Sequence, residues 1–242
     1  MIESKAKQLI QQTLEQYNRI AAEFDSTRSQ SEDFTGLTQY VKEGNLVLDV
    51  GCGNGRLTDA LRGTGIKMIG VDGSKELIAL CKEKYAADTV EGWVGFAVSD
   101  VLELPFDSAQ FDTIFSLAVL HHIPSVEMRL QFFKDLLAIT KKGGLCVGTT
   151  WNLRGREFRE RYELDAQLET PLEGYDVGDV EIPWKASGEP VMRYCHACTL
   201  PELQKLAHDA GWNIVDIYPV TRQFTPADED SAHNLFWVLQ AP

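Results

Sequence analysis

No stretch of this chain is apolar and long enough to span a bilayer. Its first residues, Met1-Ile-Glu-Ser-Lys-Ala-Lys, hold no uninterrupted apolar segment of the kind a secretion signal needs. A cytoplasmic location is the expectation. Cysteine is scarce and scattered: Cys52, Cys81, Cys146, Cys195 and Cys198 form an odd, dispersed set, which reads as reduced thiols and not as a disulfide framework. Cys195 and Cys198 have a C-x-x-C spacing, but no second such pair exists and zinc wants four ligands, so no metal site is expected. Cations are outnumbered, 23 Lys and Arg against 36 Asp and Glu, for a net charge of −13. That balance disfavours indiscriminate binding to nucleic acid, whose affinity comes from neutralised phosphates, but leaves room for a local basic patch. The one basic run is Lys141, Lys142, Arg154, Arg156, Arg159 and Arg161, followed by an acidic run from Glu163 to Glu181. No G-x-x-x-x-G-K-[ST] loop is present, which removes the main part of a nucleoside triphosphatase.

What is there is a regular alternation. Apolar groups at helical spacing (Ala6, Leu9 or Ile10, Leu14, Tyr17, Ile20 and Phe24) predict an amphipathic helix over about 3–24, then a polar connection from Ser26 to Gly36. Strands are expected at 46–50, 68–71, 93–98, 111–117 and 145–149. Helices open at Leu57, run from a Ser74 cap to about Tyr85, and cover about 126–140. This order implies right-handed βαβ units and a doubly wound, mostly parallel α/β sheet covered on both faces. The pattern breaks from 151 to 199, where charge and turn formers dominate; this segment reads as an insertion over the carboxyl ends of the strands. A helix at 200–210 and strands at about 212–218 and 234–239 complete the pattern.

The chemistry gathers at strand ends. Asp49-Val-Gly51-Cys-Gly53-Asn-Gly55 follows the first strand and opens a helix. Glycines there permit positive φ and let a ligand approach the backbone, and the helix beyond offers free N–H groups to an anion. The spacing is G-x-G-x-G, not the G-x-G-x-x-G of a nicotinamide loop. Asp72 ends the second strand, where a carboxylate faces the ribose of a nucleoside lying across the first strand. Asp100 ends the third strand, placed to accept from an exocyclic adenine amine. Leu120-His121-His122 closes the fourth; in an extended chain two neighbours point opposite ways, so at most one of the two histidines faces the ligand, His121 or His122. The expected organisation is one domain: an N-terminal helix and lid (1–36), a cofactor-binding core (37–150), a substrate-side insertion (151–199), and a C-terminal helix and strands (200–242).

Together these motifs resemble the class I S-adenosylmethionine-dependent methyltransferases, over about Leu46 to Thr149. The resemblance implies S-adenosyl-L-methionine as cofactor and seven strands in the order 3-2-1-4-5-7-6, the last-but-one position antiparallel. It implies Asp49 and Gly51 near the methionine moiety, Asp72 on the ribose, Asp100 on the adenine, and Cys52, Gly53, Val101 and Leu117 in the same site. Tyr17-Asn-Arg-Ile-Ala-Ala-Glu-Phe-Asp-Ser-Thr-Arg28 is similar to the opening helix of the tRNA wobble-uridine carboxymethyl methyltransferases. So are Ser116-Leu-Ala-Val-Leu-His-His122, Trp151, Ile182-Pro-Trp184 and Arg193-Tyr-Cys-His196. That likeness implies esterification of a carboxymethyl group at the wobble base of tRNA, with Arg28 and Arg193 holding the carboxylate and Tyr17, Trp151, Trp184 and His196 shaping its pocket. Eukaryotic members of that family need a small zinc-binding activator protein that adds along a sheet edge. The chain departs from the family at Ser29-Gln-Ser-Glu-Asp33, where prolines and an aromatic are usual, and at Cys195, where a second tyrosine is usual.

A carboxylate acceptor is already ionised near neutral pH and needs no general base. A small-molecule acceptor methylated on oxygen, nitrogen or carbon would instead use His121 or His122 as base. A cofactor-binding subunit without activity of its own is the third reading of the same residues.

Overall fold

The computed structural model describes residues 1–28, 33–184 and 191–242, the side chain of Arg28 excepted. Its strands are β1 (Leu46–Val50), β2 (Lys67–Asp72), β3 (Val94–Val98), β4 (Phe111–Leu117), β5 (Thr140–Trp151), β6 (Asp179–Trp184), β7 (Val191–His196), β8 (Asn213–Val220) and β9 (Asn234–Gln240). Seven of them form one sheet in the order β3-β2-β1-β4-β5-β9-β8. Only β9 runs antiparallel to its neighbours, β5 and β8. Counted within the sheet this is the expected 3-2-1-4-5-7-6.

The helices are α1 (Glu3–Arg28), α2 (Arg56–Leu61), α3 (Lys75–Lys84), α4 (Ala86–Val90), α5 (Val126–Ile139), α6 (Arg156–Tyr162), α7 (Asp165–Glu169) and α8 (Leu200–Ala210). Because successive strand residues point to opposite faces, β1 feeds two cores: Leu48 and Val50 pack with Phe132 of α5 and Leu203 of α8, while Val47 packs with Leu57 of α2 and Ile78 of α3. Strands buried on both faces read as continuous apolar runs, which is why they were legible.

Three expectations need correction. First, α1 continues to Arg28 through the start of the expected polar connection, because no glycine or proline stands between Phe24 and Arg28 to stop it. Second, β5 begins at Thr140 instead of Leu145, since Thr140 already pairs with Phe111 ahead of a register shift. Third, the described residues of 151–199, where the sequence shows no period, hold α6, α7 and the β6–β7 hairpin around their own small core of Leu153, Phe158, Leu164, Val180, Ile182 and Cys195. Elements this short complete too few turns to show a period.

The hairpin is fastened to the body by buried charge. Asp179, fully buried, accepts from Tyr194 Oη at 2.7 Å and meets His196 Nδ1 at 2.7 Å. His196 Nε2 meets both oxygens of Glu202 on α8, at 3.0 and 3.1 Å. Glu202 in turn pairs with Arg129 of α5 at 3.0 Å. Burial works against a charged His196, but Asp179 and Glu202 outweigh it and hold its pKa above the ordinary value. Burial likewise opposes the Glu202 charge, yet His196 and Arg129 bring its pKa down to about 2.

Replacing His196 by alanine strips the cation from between two carboxylates, so the protein should lose about 3–5 kcal/mol of stability in denaturant unfolding. A raised folded-state pKa contributes stability that is complete below the unfolded value of about 6.5 and is lost as pH rises through the folded one. The gap between wild type and His196→Ala should therefore be widest in mild acid and narrow in alkali. Equal stability of the two at pH 6 would remove the charged His196 from this account.

Candidate active site

The cleft opens at the carboxyl edge of the sheet, between the ends of β1, β2 and β4, and α1 lies across it. Its volume is about 1040 Å³ with the open mouth included, and its walls take in Tyr17, Asp49, Gly51, Cys52, Gly53, Asp72, Val101, Leu117, His122 and Trp151. The turn after β1 is built for close approach. Gly51, Gly53 and Gly55 have φ of 73°, 56° and 77°, a region that side chains with a Cβ rarely enter. A Cβ on Gly51 would lie 2.3 Å from Val119.

Asp72 organises this turn. Its Oδ2 accepts from Gly53 N at 2.9 Å and its Oδ1 from Ser74 N at 2.8 Å. One carboxylate thus joins the glycine turn to the start of α3 and keeps further lone pairs for ribose hydroxyls. Asp49 is 3% exposed. Burial, then the charge of Asp72, push its pKa up to about 7, against the pull of Arg56. Asp100 stands just outside, in an adjoining pocket with Val101, Leu102 and Thr13, and its Oδ1 accepts from Leu102 N at 2.9 Å. Acids at two strand ends, a backbone cradle and a buried carboxylate fit an adenosyl group with a cationic amino-acid tail.

On the other side the structure resolves the histidine pair. Residues 120–122 form a 3-10 turn after β4 and not its last extended residues, so the opposite-facing rule does not apply; the two rings lie 4.3 Å apart. His122 lines the cleft. Its Nδ1 bonds the Tyr194 carbonyl at 3.0 Å, which makes Nδ1 the protonated nitrogen, and Tyr17 Oη then donates to Nε2 at 2.8 Å. Burial and the neighbouring Arg193 bring its pKa down to about 3. His121 is fully buried behind, stacked on Trp151 at 4.3 Å, and its pKa is also depressed by burial.

Arg193 is 1% exposed, its guanidinium over the ring faces of Trp151 and Trp184 at 5.3 and 5.0 Å. Nη1 reaches Tyr17 Oη at 3.5 Å, and Nε has no partner. Among the described residues no carboxylate pairs with it. The structure therefore brings together Tyr17, His122, Trp151, Trp184 and Arg193. It does not bring in His196, whose two ring nitrogens are spent on Asp179 and Glu202. The Arg28 side chain lies outside the described residues. The C-x-x-C pair is divided: Cys195 lies beside His122 and Cys198 beside His196 and Glu202. Sequence reasoning missed Asn54, Val119 and the α1 residues Thr13, Leu14 and Phe24, which also line the cleft. Leu14 and Phe24 were signalled only by the apolar stripe of α1, which reads as core, and Thr13 by nothing.

A methyltransferase domain family matches residues 48–148, the span that carries β1 to β5 and all the strand-end acids. The chain carries a class I S-adenosylmethionine-dependent methyltransferase domain. It is 36% identical over 145 residues to the tRNA (carboxymethyluridine(34)-5-O)-methyltransferase alkbh8 of Xenopus tropicalis, covering 60% of this chain and 21% of that protein. The methyltransferase of the same description from Schizosaccharomyces pombe is 26% identical over 223 residues, covering 83% of this chain and 88% of that one. In fold the domain is similar to the methyltransferase in a complex with the Haloferax volcanii Trm112 activator, with TM-score 0.65 and 19% identity over 95% of this chain and 97% of that one. Among the described residues no helix is long and apolar enough to cross a membrane.

The cofactor carries positive charge, so it favours ionised Asp49. Calorimetric affinity of the methyltransferase for S-adenosylmethionine should rise from pH 6 to pH 8 as Asp49 loses its proton near pH 7. Asp49→Asn should flatten that rise; a wild-type affinity indifferent to pH in this range would overturn it. Asp72→Ala should weaken cofactor binding by at least about 1–3 kcal/mol, since it releases two backbone N–H groups as well as ribose. Binding equal to wild type would show that Asp72 is not the ribose acid.

Proposed function

We propose that this domain transfers a methyl group to a carboxylate, and that the acceptor is the carboxymethyl group of a modified wobble uridine in tRNA. The observation that carries this reading is Arg193. A guanidinium so deeply buried, with a free Nε and no described acid, is costly unless an anion completes it. A planar carboxylate matches its paired donors. The relatives named for carboxymethyluridine add weight.

S-adenosylmethionine, when bound, supplies an electrophilic methyl on its sulfonium. The chain's own part is then orientation. Arg193, held flat by the indoles of Trp151 and Trp184, grips the acceptor carboxylate, and Tyr17 Oη touches both Arg193 and His122. His122, with a pKa of about 3, is a poor proton acceptor at neutral pH; a carboxylate asks for none. Arg28, at the end of α1, is the proposed second cation. The edge strand β3, with Val98 54% exposed, is where a small activator protein would add a strand.

A small-molecule acceptor is the second reading. It is favoured by the charge of −13 and by the pairing of Arg156 with Asp230, Arg159 with Asp165 and Lys141 with Asp112, which engages three of the six cations of the basic run.

The test is methyl transfer to tRNA bearing carboxymethyluridine, at saturating cofactor, from pH 6 to 9. Arg193→Ala should slow transfer tens- to several-hundred-fold, about 2–4 kcal/mol, and His121→Ala less. The rate should be flat with pH and the product ester labile to mild alkali. An alkali-stable product, or a rate that follows a histidine and ignores Arg193, would favour the small-molecule reading.

A further inference from the structure

One polar group on α1 is out of place. Thr13 is 6% exposed, and its hydroxyl has no hydrogen-bond partner among the described residues. A helical threonine can satisfy itself on the carbonyl four residues back, and a buried hydroxyl without a partner is destabilising. Thr13 forgoes that bond. It lines both the main cleft and the adjoining pocket bounded by Asp100, Val101 and Leu102.

Its neighbours fix α1 at this depth. Leu14 presses on Gly73, where a Cβ would meet its Cδ2 at 2.4 Å. Asn18 Oδ1 accepts from Ser74 Oγ at 2.8 Å. Asn54 donates to Asp25 at 3.0 Å. The Thr13 hydroxyl is thereby held against the stretch of wall between the acid that ends β2 and the acid that follows β3. Those two acids, Asp72 and Asp100, are the ones the family resemblance assigns to the ribose and the adenine.

We infer that Thr13 is a cofactor-binding residue, its hydroxyl being the polar contact that α1 makes with the adenosyl part of S-adenosylmethionine. A hydroxyl both donates and accepts, so it suits a ribose hydroxyl or an adenine ring nitrogen equally. The orphaned group is then a site waiting for its ligand, and α1 is a wall of the cofactor site as well as its cover.

Calorimetric titration of the whole chain with S-adenosylhomocysteine and with 5′-methylthioadenosine, which lacks the amino-acid tail, tests this. Thr13→Val keeps the shape and removes the hydroxyl. It should weaken both ligands by a similar factor, about five- to tenfold, and Thr13→Ser should restore both. The ligand-free melting temperature of Thr13→Val should equal or exceed that of wild type, since an unpartnered hydroxyl is lost. Undiminished binding by Thr13→Val, a loss confined to S-adenosylhomocysteine, no rescue by serine, or a fall in ligand-free stability would each overturn the assignment.

Discussion

The proton on His196 decides how the acceptor side is held. With that proton, the sequence Asp179, His196, Glu202, Arg129 alternates in sign and is neutral as a whole; without it, an uncompensated negative charge stays in a dry interior. The four residues come from β6, β7, α8 and α5, so one electrostatic chain locates the inserted hairpin on the body of the domain. Strand alternation does the rest. On β7, Tyr194 and His196 turn toward Asp179, which leaves Arg193 and Cys195 on the other face, behind Tyr17, Trp151 and His122 of the cleft wall.

Arg193 is the mirror image of that arrangement. His196 has two carboxylates, and Arg193 has none among the described residues, although both are buried on one strand. The indole faces of Trp151 and Trp184 offset part of the desolvation, and the Tyr17 hydroxyl offsets a little more. What remains is a fixed positive charge directly behind Tyr17 and Trp151 of the cleft wall. Burial, and after it this charge, depresses His122 and keeps that ring neutral. The cation thus adds to what burial already does to the nearest histidine.

Helix α1 ties the halves together. Thr13 and Leu14 line the cleft beside Gly73, Asn18 meets the cap of α3, and Tyr17 meets His122 and Arg193. Residues one turn apart on a single rigid helix therefore touch both ends of the cleft. Any displacement of α1 that admits cofactor also disturbs the hydroxyl that bridges Arg193 and His122.

The sequence by itself determined the sheet and which strand ends line the cleft. Short apolar strands alternating with helices admit few topologies, and Asp49, Gly51, Gly53 and Asp72 sit within a few residues of strand ends whose positions the pattern specifies. Local order was enough there, because each group acts where its own strand stops. The acceptor side was legible only as a likeness, and His196 shows why: its role depends on Asp179, Glu202 and Arg129, 17, 6 and 67 residues away in the chain. The choice between His121 and His122 depended on a turn where a strand end was expected. Which of two buried cations has carboxylate partners, and which has none among the described residues, was decided by tertiary structure alone, because charge compensation depends on distance in space and not on spacing in the chain.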